Sequence, residues 1–126
     1  MKTAHDLVEQ ARSHIREVAL ADAEAAIRAA DVLIDVREPE EYHEAHIAGA
    51  LNIPRGVLEF KLSGTPELGV RDLDILLYCK TSGRAALAAA SLQAMGYLQV
   101  KSIAGGFDAW AAAGKPQVRP SLPSFD

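Results

Sequence analysis

"ILLYCKTSGRAALAAA", residues 75–90, holds the chain's single cysteine between an apolar run and a polar loop that closes on an arginine. Ile75-Leu76-Leu77-Tyr78 reads as a buried strand, and the alanine-rich stretch from Arg84 to Met95 reads as a helix. Cys79 then lies at the carboxyl end of a strand. In open α/β sheets that edge faces the binding crevice, and a loop feeding a helix there aims several backbone N–H groups at one point. Such a point attracts anions and favours a thiolate over a thiol.

Working outward, the pattern repeats. Leu7, Ala11 and Ile15, with Val8 nearby, recur at helical spacing and predict an amphipathic helix over about residues 4–16, with a second helix from Ala21 to Ala30. Residues 31–36 form the first clear strand, after which Pro39-Glu40-Glu41 opens a short helix. Residues 50–53 read as a short strand ended by Pro54, residues 57–62 as a short helix, and residues 64–74 as a loop. Beyond the cysteine, residues 99–102 suit one more strand, and Gly105-Gly106 introduces a last helix over 107–113. This alternation implies an α/β fold, a mostly parallel sheet with helices on both faces. The expected organisation is an N-terminal helical extension over 1–30 packed on the domain, a core over 31–116 and a tail over 117–126.

Composition narrows the function classes. The chain has 126 residues, 49% hydrophobic and 24% charged, which fits one ordinary globular domain. A net charge of −4 gives no footprint for nucleic acid, and no apolar stretch approaches a membrane span of roughly 20 residues. The start, MKTAHDLVEQ, lacks the apolar block of a signal peptide, so the expectation is a cytoplasmic protein without nucleic-acid or membrane partners. One cysteine can form no internal disulfide and no CxxC pair. Any redox chemistry must pass through a partner or a substrate.

The loop itself has a bland reading and a chemical one. Cys79 can be a small inert hydrophobe, Gly83 an ordinary turn, and Lys80 and Arg84 solvated charges. Alternatively the amides of Lys80, Thr81, Ser82, Gly83 and Arg84 wrap around one sulfur, with Gly83 permitting a tight turn. The thiolate is the reactive form of cysteine, and helix N-termini or nearby cations favour it.

Three segments resemble single-domain rhodaneses, a sulfurtransferase family: "LIDVREPEEYHEAHIAGALNIP" (33–54), "LLYCKTSGRAALAAASLQAMGY" (76–97) and "IAGGFDAWAAAGKP" (103–116). The resemblance implies a three-layer fold around a five-stranded, mostly parallel sheet. It also implies that Cys79 is the sulfur-accepting nucleophile, that residues 80–84 are its anion-binding cradle, and that Asp35 and Arg37 brace the crevice. The chain departs from many active relatives in carrying Ser82 and Ala85 where glycine and serine are common, with its glycine at 83. Related phosphatases use a loop one residue longer, because a phosphoryl group needs more room than a sulfane sulfur. Sulfur chemistry is therefore favoured, with phosphate or arsenate binding left open.

The implied reaction is nucleophilic catalysis in two halves. Cys79 accepts the outer sulfur of thiosulfate or a similar donor, and a thiol or cyanide then removes it. The backbone amides hold the anion in both halves, while Arg84 and Lys80 attract the donor. A thiolate formed by its surroundings needs no histidine base, and none lies near Cys79 in sequence. No cofactor is implied. His5, His14 and His43 offer no ligand spacing and His46 suits a hydrogen-bonded core contact, so no metal is expected. Trp110 suits core packing on the last helix. Two further readings stay open: a persulfide carrier serving a sulfur-relay protein, and a non-catalytic docking module.

Overall fold

The computed structural model describes residues 1–120. Its five strands form one parallel sheet in the order β1-β5-β4-β2-β3. In chain order the elements are α1 (Ala4–Arg12), β1 (Arg16–Val18), α2 (Leu20–Ala29), β2 (Val32–Asp35), α3 (Pro39–Glu44) and β3 (Leu51–Asn52). There follow α4 (Leu58–Gly64), β4 (Asp74–Tyr78), α5 (Gly83–Ala94), β5 (Gln99–Ile103) and α6 (Gly106–Ala112). Among the described residues no helix is long and apolar enough to cross a membrane.

β4 sits at the centre of the sheet, paired with β2 on one side and β5 on the other. A central strand covered on both faces needs apolar residues at every position, and Ile75 to Tyr78 are all buried. Alternate side chains feed two cores. Ile75, Leu77 and Cys79 join Leu58, Leu62, Ala85, Ala88 and Leu92 from α4 and α5. Leu76 and Tyr78 join Ala23 of α2 and Phe107 and Trp110 of α6 on the opposite face. Each buried Leu or Ile stabilises the fold by roughly 1.5–3 kcal/mol, so the sheet is held hardest at its centre, directly below the cysteine.

Residues 1–30 hold one strand that the helical pattern hides. α1 opens on a capping box, in which the Asp6 amide donates to Thr3 Oγ1 at 3.1 Å and the Thr3 amide to Asp6 Oδ2 at 2.9 Å. The helix stops at Arg12 instead of running on to 16. Arg16, Glu17 and Val18 pair in parallel with Lys101, Ser102 and Ile103 and form an edge of the sheet. Arg16 and Glu17 are exposed, so this strand shows no apolar alternation in sequence. At the other end of the chain Val118 pairs antiparallel with His46, tying part of the expected tail to the domain. Residues 121–126 of that tail lie outside the described residues.

Candidate active site

β4 delivers Cys79 to the carboxyl edge of the sheet, where the chain turns through Lys80, Thr81 and Ser82 into α5. Ser82 is the N-cap of that helix. The first helical amides have no intrahelical acceptor. One of them, Ala85 N–H, donates to Cys79 Sγ at 3.3 Å. The thiol is otherwise enclosed, with 1% of the residue exposed. Ala85 lies one position past the expected cradle of 80–84.

The loop is also fastened from the outside by the start of α6. Phe107 N–H donates to the Cys79 carbonyl at 2.8 Å, and Asp108 N–H to the Lys80 carbonyl at 2.9 Å. This approach depends on Gly106, whose φ is +58° and whose position has no room for a side chain. A Cβ there would fall 2.5 Å from the Cys79 carbonyl oxygen and 2.7 Å from that of Thr81. Two consecutive glycines before the last helix were the sequence signal. What Gly106 fits, the backbone of the cysteine loop, lies more than twenty residues away.

Both cations expected to receive an anionic donor are already paired. Arg84 donates from Nη1 and Nη2 to Glu41 Oε1 and Oε2 of α3, at 2.8 and 3.0 Å. The Arg84 contact, against the cost of partial burial, holds the Glu41 carboxyl down at about 2. Lys80 Nζ lies 2.7 Å from Asp108 Oδ2. That second pair is well exposed and contributes little. The first is fork-shaped and more sheltered, and it clamps α3 to the first turn of α5.

The Arg84–Glu41 clamp makes a pH-dependent contribution with a definite sign. A carboxyl lowered from 4.5 to about 2 by folding stabilises the folded state above 4.5, and that stabilisation is lost as the pH falls toward 2. After allowance for solvent screening of a partly exposed pair, Glu41→Gln is expected to cost about 1 kcal/mol at pH 7. The difference between wild type and variant in urea unfolding should shrink steadily below pH 4.5. A difference independent of pH down to 2.5 would show that the clamp contributes nothing through charge.

Asp35 and Arg37 meet beneath the site. Arg37 Nε is 3.0 Å from Asp35 Oδ1 and Nη2 is 2.8 Å from Oδ2, with both residues buried. Nη2 also donates to the Ala45 carbonyl at 2.7 Å, and the guanidinium lies 4.5 Å from the Phe107 ring centre. Burial opposes the Arg37 charge, yet the Asp35 carboxylate outweighs it and raises the pKa above the ordinary value. The pair thus links the end of β2 to the 45–50 segment and to the helix that fastens the cysteine loop.

The remaining residues of interest lie apart from the sulfur. His46 stacks on Tyr42 at 3.7 Å, and its Nδ1 lies 2.9 Å from the Tyr42 carbonyl. Trp110 is buried, with its indole N–H donating to the Pro116 carbonyl at 2.7 Å. A cavity of about 190 Å³ is lined by Ile27, Ile47, Trp110 and Pro116 together with the charged Glu24 and Arg28, but Cys79 takes no part in it.

Comparison with known proteins agrees with this architecture. A sulfurtransferase of Allochromatium vinosum is 35% identical to the chain, over 80% of its length and 86% of the relative's. The chloroplastic thiosulfate sulfurtransferase 16 of Arabidopsis thaliana is 36% identical, over 66% of the chain and 76% of the relative. A solved structure from Rhodopseudomonas palustris, described as a protein of unknown function and possible tyrosine phosphatase, superposes with a TM-score of 0.84 at 34% identity, covering 92% of this chain and 94% of that one. Residues 19–113 match the family described as "Rhodanese-like domain", a span that runs from the end of β1 to just past α6 and encloses the whole cysteine loop, so the chain belongs to the rhodanese-like sulfurtransferase family.

Proposed function

We propose that the protein transfers a sulfane sulfur from thiosulfate or a similar donor to a thiol or cyanide through a persulfide on Cys79. The observation that carries this reading is a single cysteine at a strand end whose sulfur accepts a first-turn helix amide. Loading has a simple balance. The Cys79 thiolate attacks the outer sulfur of thiosulfate, a new S–S bond forms, the donor's S–S bond breaks, and sulfite leaves with the electron pair. Cyanide then attacks the outer sulfur of the persulfide, thiocyanate leaves, and the thiolate is restored. The Ala85 amide at the sulfur stabilises negative charge in both steps and needs no reorganisation to do so.

The loop from Cys79 to Arg84 is one residue shorter than that of the related phosphatases, which favours sulfur over a phosphoryl group with its three equatorial oxygens. Hydrolysis of an aryl phosphate such as p-nitrophenyl phosphate should therefore be negligible beside sulfur transfer. Robust hydrolysis that disappears in Cys79→Ser would reverse this assignment.

The paired state of Arg84 and Lys80 favours a second reading, a persulfide carrier loaded by a partner protein. A small dianion gains most from free cations, whereas a partner can deliver sulfur by contact. Steady-state kinetics with cyanide as acceptor separate the two. Saturable turnover of thiosulfate, with kcat/KM comparable to that for a low-molecular-weight persulfide, marks the enzyme. A thiosulfate value lower by about a hundredfold or more marks the carrier, an energetic gap of about 2.7 kcal/mol.

A further inference from the structure

A serine at a helix N-cap ordinarily turns its hydroxyl onto the amide of the second or third helical residue. Ser82, whose third helical residue is Ala85, does not, because its backbone at φ −178° and ψ −13° lies outside the extended conformation from which a cap hydroxyl reaches that amide. Its hydroxyl instead accepts a hydrogen bond from Arg12 Nη2, at the end of α1. The Ala85 amide that the serine would otherwise claim donates to the Cys79 sulfur. Were the cap to relax to the extended conformation, its hydroxyl would compete for the amide that now serves the sulfur, and the Arg12 contact holds that hydroxyl on α1 instead.

Arg12 is itself held in place. Its Nη1 lies 3.4 Å from Glu9 on α1, and its Nε 3.8 Å from Glu17 on the edge strand β1. α1 packs along α5 directly over the first turn, where a Cβ at Gly83 would sit 3.6 Å from Val8 Cγ2. The three nitrogens of one guanidinium therefore contact α1, β1 and the N-cap of α5. Beside the Val8 packing, this side chain ties the first thirty residues to the cysteine loop by a hydrogen bond.

We infer that Arg12 is a positioning residue for sulfur transfer: by engaging the Ser82 hydroxyl it keeps the Ala85 amide on the Cys79 sulfur. The inference rests on the sulfur-transfer reading of the site and gives Ser82 a specific reason to differ from the glycine common at that position. A glycine has no hydroxyl to restrain. With serine there, removal of Arg12 frees the cap to relax to the extended conformation, which turns the hydroxyl onto the Ala85 amide in competition with the sulfur.

A double-mutant cycle tests this directly. In the wild-type background, Arg12→Ala should slow sulfur loading at saturating thiosulfate three- to tenfold. The loss should fall in kcat with KM within twofold, because the amide acts on the cysteine sulfur and not on the donor. Arg12→Lys, which keeps a donor near Ser82, should recover at least half of the loss. In a Ser82→Ala background the Arg12→Ala change should alter kcat by less than 1.5-fold, because no hydroxyl remains to compete. An Arg12→Ala effect of equal size in both backgrounds, or none in the wild-type background, overturns the proposal. The same cycle is read a second time from the rate of Cys79 alkylation by iodoacetamide. If the wild-type protein loads no sulfur from any donor, the proposed function fails, and the alkylation cycle alone decides whether Arg12 acts on the cysteine through Ser82.

Discussion

Cys79→Ser is expected to abolish turnover, with thiocyanate formation from thiosulfate and cyanide falling by about 10³-fold or more while the fold is kept. The substitution changes one buried atom, and a hydroxyl can accept the Ala85 amide as the sulfur does. Stability should therefore change by no more than about 1 kcal/mol. Activity responds differently because the reaction consists of making and breaking a bond to that atom. A serine hydroxyl is a weak nucleophile without a neighbouring base, and no persulfide can form on oxygen. The two measurements are thiocyanate release and the urea midpoint. A variant that folds normally and keeps a tenth of the wild-type rate would place the chemistry elsewhere.

Gly106→Ala is expected to destabilise the protein by about 3 kcal/mol and to reduce turnover at least tenfold. A left-handed backbone costs a non-glycine residue about 1–2 kcal/mol. Here the Cβ also meets backbone atoms that cannot rotate away: the carbonyl oxygens of Cys79 and Thr81, and the Lys80 carbonyl carbon at 2.8 Å. Relieving the clash moves α6 off the loop and stretches the Phe107 and Asp108 amide bonds to Cys79 and Lys80. Each such bond contributes about 1 kcal/mol. Gly49→Ala is the matched control, because Gly49 has φ +85° and nothing within 4 Å of its Cβ position. It should show the backbone cost alone and wild-type turnover. If Gly106→Ala matches Gly49→Ala in both respects, α6 does not hold the cysteine loop.

The central part of the fold was legible because burial on both faces leaves a clear mark. β2, β4 and the helices that follow them fall within about two residues of the positions their apolar runs and caps suggest. β1 was not legible: three residues with two exposed side chains carry no pattern, and their strand identity comes from pairing with β5 some 85 positions later. The loop residues are neighbours in sequence, but the partners they engage leave no local mark. Glu41, Asp108 and Arg12 lie 28 to 70 positions from the residues they engage, and local spacing carries no record of such contacts. Ala85 was hidden by a single step. A helix begun at Arg84 makes Gly83 its cap and Ala86 its third residue, whereas the actual cap at Ser82 brings Ala85 to the sulfur.

Intact-mass spectrometry of the purified wild-type protein tests the central claim most directly. After thiosulfate or a low-molecular-weight persulfide, the protein should gain the mass of one sulfur atom, localised to Cys79. Cyanide should return it to the original mass with release of one equivalent of thiocyanate. A protein that keeps its unmodified mass with every donor would contradict a sulfur-carrying Cys79 and leave the fold as a docking module.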